Sequence, residues 1–178
     1  GSMGWNDPGG LRKTAAKSFV DQMDASRDQA GVVSWDGGID FTYLLSSDFT
    51  TVKSQIDLVN SSGGTNLNVG LTSAIGLLDS GAQDGSARVI IFLTDGQGTY
   101  TYYPGNPVKL AADKGYVIYS IGLGSAAPAP LQDMANNTGG QYYNAPSAEN
   151  LQAIFDDIYE EIVTSTIPYN VNVIEVTQ

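Results

Sequence analysis

The clearest signal in the hydrophobic pattern is an unbroken apolar run, Val89-Ile90-Ile91-Phe92-Leu93, bounded by Arg88 on one side and Thr94-Asp95-Gly96 on the other. A short β-branched and aromatic run of this kind reads as a strand buried on both faces, at the centre of a parallel sheet covered by helices. Asp95 then stands where the strand ends and the chain turns at Gly96. Open α/β sheets bind ligands in the crevice beyond the carboxyl ends of their strands, so the most buried strand delivers a carboxylate to the candidate functional edge. The alternative role for Asp95 is to cap the turn that Gly96 makes.

The remaining pattern alternates between strand and helix. Leu11, Ala15, Phe19 and Met23 recur every four residues and predict a helix over Leu11–Met23, with Arg12, Lys13, Lys17 and Asp21 facing elsewhere. The opening Gly1–Gly10 is polar and glycine-rich. Ala30–Trp35 and Ile39–Leu45 predict a hairpin around Asp36-Gly37-Gly38, with the second, Thr/Ser-containing strand at the sheet edge. Ser47 or Asp48 caps a helix over Phe49–Val59, in which Val52, Ile56 and Val59 are buried. A breaker-rich loop, Asn60–Asn66, precedes a helix over Asn68–Leu78 whose apolar face is Leu71, Ala74, Ile75 and Leu78. After Asp95 come a tyrosine-rich loop to Pro107, a short helix over Pro107–Lys114 stopped by Gly115, and a buried strand over Tyr116–Gly122. A helix from Pro128 to about Thr138, a short strand at Gln141–Tyr143 and a long helix over Glu149–Val163 capped by Ser147 complete the core.

This alternation predicts βαβ units: a doubly wound α/β fold with a mainly parallel sheet and helices on both faces. One domain over 1–166 is expected, followed by a tail, 167–178, in which Val171, Val173 and Val176 carry strand propensity without helical spacing. The tail is an extra edge strand or the start of a following segment.

Composition narrows the chemistry. The 178 residues suffice for one well-buried domain. Cysteine and histidine are both absent, which removes disulfides, thiolate and imidazole metal sites, cysteine nucleophiles and His-based triads. A metal site must then be built from oxygen, favouring Mg²⁺, Ca²⁺ or Mn²⁺. Nineteen acidic against eight basic residues give a net charge of −11, which opposes nucleic-acid binding and adsorption on anionic lipid. No apolar run approaches the roughly 18 residues of a membrane span, and no signal-peptide pattern is present. No serine lies in a Gly-x-Ser-x-Gly elbow, so a hydrolase is poorly supported and no enzymatic activity is expected. The Thr, Asn, Tyr and Gly content without cysteine leans toward an extracellular or cell-surface bacterial protein.

Three glycine-rich turns each carry one hard oxygen ligand: Gly1-Ser2-Met3, Gly64-Thr65-Asn66 and Thr94-Asp95-Gly96. One carboxylate and two hydroxyls leave a cation under-neutralised and receptive to an external anionic ligand, which suits Mg²⁺ with an open coordination position. At these residues the chain resembles the von Willebrand factor type A family. That family's metal-ion-dependent adhesion site combines Asp-x-Ser-x-Ser after the first strand, a later loop threonine and an aspartate after the central strand. Gly1-Ser2-Met3-Gly4 resembles the end of Asp-x-Ser-Gly-Ser-Met, Thr65 resembles the family threonine, and Asp95 in Phe92-Leu93-Thr94-Asp95-Gly96 resembles the family aspartate. The resemblance runs from the start of the chain to Val163. It implies a Mg²⁺ (or Ca²⁺/Mn²⁺) site at Ser2, Thr65 and Asp95 that binds the carboxylate of a protein ligand. Trp5, Tyr100, Tyr102 and Tyr103 lie beside these loops and are expected to contact the partner.

The resemblance lacks the family's first strand, with the Asp and first Ser of its motif. An empty slot at the sheet centre would expose backbone groups that cost about 1–3 kcal/mol each when buried unpaired. The strand is supplied as a separate peptide, or the tail fills the slot, or the match at Gly-Ser-Met is a coincidence that still places Ser2 as a ligand. The continuity of the motif favours a split domain. In that alternative the chain captures a first-strand peptide, and a lysine on the peptide forms an isopeptide bond with Asn170 or Asn172, assisted by Glu175 or Asp40. Ordinary polar positions on an edge strand are the competing account of both asparagines.

Overall fold

The computed structural model describes residues 1–98, 105–165 and 171–177, apart from the side chains at 175 and 176. Short helix α1 (Met3–Asn6) is followed by α2 (Leu11–Gln22), β1 (Gln29–Trp35), β2 (Ile39–Ser46), α3 (Phe49–Leu58) and α4 (Leu67–Gly81). Then come β3 (Ala87–Thr94), α5 (Pro107–Lys114), β4 (Val117–Leu123), α6 (Pro128–Thr138), β5 (Tyr142–Ala145), a 3₁₀ turn at Ala148–Asn150, α7 (Leu151–Ser165) and β6 (Val171–Thr177).

The six strands form one sheet in the order β2-β1-β6-β3-β4-β5. Among the described strands only the β1–β2 pair is antiparallel. The apolar run of β3 is buried as its sequence predicts, because alternate residues feed two cores. Val89, Ile91 and Leu93 pack under α2, α3 and α7 with Phe19, Val52, Ile56, Phe155 and Ile158. Ile90 and Phe92 pack under α4, α5 and α6 with Leu71, Val108 and Leu131. This is the doubly wound α/β architecture, with β2 at the expected edge.

The local helix signals translate directly. Asp48 caps α3 by accepting from the Thr51 N–H at 3.2 Å, and Asn106 caps α5 by accepting from Val108 at 2.9 Å. Gly115 adopts the left-handed conformation (φ 70°) that ends α5. Ser147 and Asn150 form a capping box ahead of α7.

The structure adds to or corrects three readings. The polar, glycine-rich opening holds the short helix α1. The buried stripe of α2 is Arg12, Ala15, Ala16, Phe19 and Val20, whereas Leu11 is 37% exposed. Arg12, expected to face away from the core, is buried because an ion pair awaits it there. Finally, of the placements open to the tail, the structure shows the one in which it fills the central slot, not the edge. β6 fills the slot between β1 and β3, pairing in parallel with both: Asn172 opposite Gln29 and Arg88, Ile174 opposite Gly31 and Ile90, Glu175 opposite Val32 and Ile91, Thr177 opposite Ser34 and Leu93. Gly31 accommodates this, because a Cβ there would stand 2.7 Å from Ile174 Cδ1.

Candidate functional site

At the carboxyl edge of the sheet, β3 ends in Thr94 and presents Asp95, which is buried to 2% exposure. The Thr94 hydroxyl accepts from the Gly96 N–H at 3.0 Å and shapes the turn. Ser2, at the start of α1, donates its hydroxyl to Asp95 Oδ1 at 2.7 Å. The side-chain amide of Asn6, one turn later, donates to Asp95 Oδ2 at 2.8 Å. Thr65 lies directly over the turn, so close that a Cβ on Gly96 would stand 2.3 Å from its hydroxyl oxygen. Glycine at 96 is therefore a steric requirement of the Thr65 approach. The three predicted oxygen donors, Ser2, Thr65 and Asp95, are brought to one place.

Two braces hold the loops there. Met3 is buried and anchors α1 in the core. Asp7 then accepts from the backbone N–H groups of Leu11 (2.6 Å) and Arg12 (3.1 Å) and pairs with the Arg12 guanidinium at 2.7 Å, both side chains being buried. The other arm of Arg12 donates to the Asn60 carbonyl at 3.0 Å and the Ser61 hydroxyl at 2.9 Å, at the root of the Thr65 loop. One guanidinium thus ties the segment carrying Ser2 to the segment carrying Thr65. The second brace is Asp36: its carbonyl accepts from the Asn66 N–H at 2.9 Å, and its carboxylate abuts Gly63, whose φ of 81° only glycine adopts readily.

The arrangement fits a hard divalent cation. Every donor is oxygen, and among the described residues the hydrogen-bond donors to Asp95, Ser2 and Asn6, are neutral. Among the described residues, no Lys or Arg forms a salt bridge with it. A buried carboxylate without counter-charge is costly unless a cation arrives. The Thr177 hydroxyl, at the same edge of β6, is buried without a partner. The charge is sparse, however: no group of three or more carboxylates converges among the described residues.

Trp5, also on α1, is 88% exposed beside this site. Tyr100, Tyr102, Tyr103 and Asn170 lie outside the described residues. Asn172 is buried at the opposite end of the sheet, and neither atom of its amide has a partner. Asp40 is not near it: its carboxylate accepts from Ser34 at 3.0 Å, toward the other end of β1. Sequence reasoning missed Asn6, Asp7 and Arg12. The four-residue spacing of Ser2 and Asn6, one helical turn, was the available signal.

A parallel sheet wound with helices on both faces, with hydroxyls and one buried carboxylate gathered beyond its central strand, defines a class of α/β binding modules. The family description "von Willebrand factor type A domain" matches residues 1–157, and the chain belongs to that family. Among similar proteins, a UPF0353 protein of Mycolicibacterium gilvum is 23% identical over 180 residues, covering 86% of this chain and 53% of its own length. The chain thus spans about half the length of the first curated relatives it matches. Proximal thread matrix protein 1 from the mussel byssus, solved with a zinc-occupied MIDAS motif (the metal-ion-dependent adhesion site), superposes with a TM-score of 0.77 at 26% identity, over 91% of this chain and 43% of that one. The vWF domain of the type V pili tip protein Mfa5 from Porphyromonas gingivalis shares the fold at a TM-score of 0.73 and 15% identity, over 94% and 93% of the two chains.

Proposed function

We propose that this chain is a non-enzymatic adhesion-type module that holds a divalent cation, Mg²⁺ or else Ca²⁺ or Mn²⁺, at Ser2, Thr65 and Asp95, and binds a protein ligand whose carboxylate completes the coordination. The observation that carries the proposal is the buried Asp95 carboxylate, 2.7 Å from the Ser2 hydroxyl and without cationic counter-charge. The bound cation supplies a Lewis-acidic point that an external carboxylate can reach. Ser2 and Thr65 contribute neutral oxygens, so positive charge is left over for the partner. The exposed indole of Trp5 offers a rigid contact surface at the rim. An extracellular or cell-surface place in a bacterial parent protein accords with the pili tip domain that shares the fold, and among the described residues no helix is long and apolar enough to cross a membrane.

Calorimetry and thermal melting with Mg²⁺, Mn²⁺ and Zn²⁺ test this reading. The expected result is a metal-dependent rise in melting temperature that Asp95→Asn abolishes, with micromolar or weaker affinity because a single carboxylate is present. No response to any of the three at millimolar concentration overturns the reading. Sub-micromolar Mg²⁺ affinity overturns the expectation of weak binding.

A second reading is favoured by one observation, the unpartnered amide of Asn172 on the central strand β6, at the amino end of the sheet. In it, a separate strand peptide displaces β6 from the slot, in the manner of a split domain. In its covalent form, a lysine amine of the peptide attacks the side-chain carbonyl carbon of Asn172 or Asn170. The new C–N bond forms as ammonia leaves, with Glu175 as the candidate proton donor. Among the chain's own lysines, Lys17, Lys53, Lys109 and Lys114 pair with carboxylates, and Lys13 donates to the Asp57 carbonyl, so the amine has to come from the peptide. Denaturing mass spectrometry after mixing with a lysine-bearing apolar strand peptide decides: a product at the summed mass less one ammonia supports the covalent form, and unchanged masses remove it.

A further inference from the structure

The two oxygens of Asp95 have chemically different neighbours. Oδ1 accepts from a hydroxyl, that of Ser2, and Oδ2 accepts from a carboxamide nitrogen, that of Asn6. A hydroxyl can rotate its proton away and turn a lone pair toward a cation. A carboxamide NH₂ carries donors only and has nothing to offer a cation. The Ser2 side of the carboxylate is therefore open to coordination, and the Asn6 side is covered.

Asn6 is held in that position. It closes α1, whose other end is anchored by buried Met3, and the next residue, Asp7, is locked by the Arg12 pair. Its amide is also enclosed from behind: a Cβ on Gly124 would stand 2.9 Å from Asn6 Oδ1, so the side chain lies between Gly124 and Asp95. The Asn6 side chain is thus packed between the Gly124 turn and the Asp95 carboxylate it donates to.

We propose that Asn6 is a specificity-determining residue of the cation site: by occupying Oδ2 it presents Asp95 as a one-oxygen ligand and sets the site against Ca²⁺. The inference rests on the cation-binding reading above. Mg²⁺ and Mn²⁺ favour six-coordinate oxygen sites in which one carboxylate oxygen and several waters suffice, whereas Ca²⁺ takes six to eight oxygens and readily draws both oxygens of a carboxylate. Releasing Oδ2 gives Ca²⁺ an additional ligand and gives Mg²⁺ little.

The experiment is calorimetric titration of the whole chain with Mg²⁺ and, separately, Ca²⁺, for the wild type and for Asn6→Ala and Asn6→Ser, with melting curves to establish that each variant folds. The expected result is a wild-type preference for Mg²⁺ and a shift of the Ca²⁺/Mg²⁺ affinity ratio toward Ca²⁺ by about tenfold in the variants, equivalent to ~1.4 kcal/mol. Having two variants guards against one that fails to fold. A wild type that binds Mg²⁺ with an unchanged ratio in the folded variants overturns the role of Asn6 and leaves the cation site standing. A wild type that binds neither ion removes both.

Discussion

Strands β3 and β6 are neighbours at the centre of the same sheet, pair along their whole lengths, and are built on opposite principles. β3 is apolar from Val89 to Leu93, with every one of these side chains buried in one of the two cores. β6 makes equally regular ladders on both sides, yet Asn172 and Thr177 are buried with side-chain atoms that have no partner, and Gln29, opposite Asn172, has an unpartnered oxygen as well. A small interior void also borders Val173, Ala30 and Ile91. Backbone complementarity is enough to seat a strand at a sheet centre. Side-chain complementarity is a separate condition, and β6 meets it only in part.

The comparison can be broken most severely from the β3 side. Phe92→Ala removes a fully buried ring that packs on Trp35 at 5.2 Å, and is expected to cost about 3–5 kcal/mol in urea unfolding. Arg12→Met is next. It leaves the buried Asp7 carboxylate unpaired and unties the Asn60–Ser61 loop root, with an expected loss of about 3 kcal/mol or more. A loss below ~1 kcal/mol would show that Asp7 is relieved in another way.

On the β6 side the sign reverses. Asn172→Val is expected to stabilise the protein by about 1–2 kcal/mol, since it removes two unmet hydrogen-bonding groups and adds strand propensity. Destabilisation of the variant would mean that the amide is in fact satisfied. The smallest expected effect lies at the sheet's far edge, where the hydroxyl of half-buried Tyr143 donates to Glu161 at 3.0 Å. Burial, then the adjacent Glu161 carboxylate, raise the Tyr143 pKa. A raised folded-state pKa contributes stability that is complete below the unfolded value of about 10 and is lost as pH rises beyond it. Melting curves from pH 9 to 11 should therefore fall less steeply for Tyr143→Phe than for the wild type, and parallel slopes would contradict the assignment.

The same contrast explains what was legible in the sequence. β3, α3, α4 and α7 were readable because their burial follows from residues three, four or two positions away. The convergence of Ser2, Thr65 and Asp95 was foreseeable because each sits in a glycine-rich turn that matches the family motif in order, and the structure brings the three together. Arg12 was misread because its burial depends on the Asp7 ion pair and on Asn60 and Ser61, 48 and 49 positions away, none of which helical spacing reveals. Asn6 was passed over for a similar reason, as its meaning comes from Asp95, 89 positions on. The tail was legible as a strand, and its place between β1 and β3 was one of three open accounts of the missing first strand, because valine alternation specifies an extended backbone and does not choose which neighbours it will find. Its polar residues argued for an edge, and the open ladder between β1 and β3 outweighed them.

The position of β6 also sets an order in time. Among the described strands, β1 and β3 are joined only through it, so residues 29–35 and 87–94 cannot share a sheet until residues 171–177 are available. Before then the chain has two half-sheets, β1–β2 and β3–β4–β5, each with unpaired amides along its inner border. Closure has to bring together segments separated by more than half the chain, the kind of non-local step that slows folding. On a ribosome, the β1–β2 half-sheet waits until residues 171–177 emerge. The period of exposed strand borders is then fixed by the rate of synthesis as well as by the rate of folding.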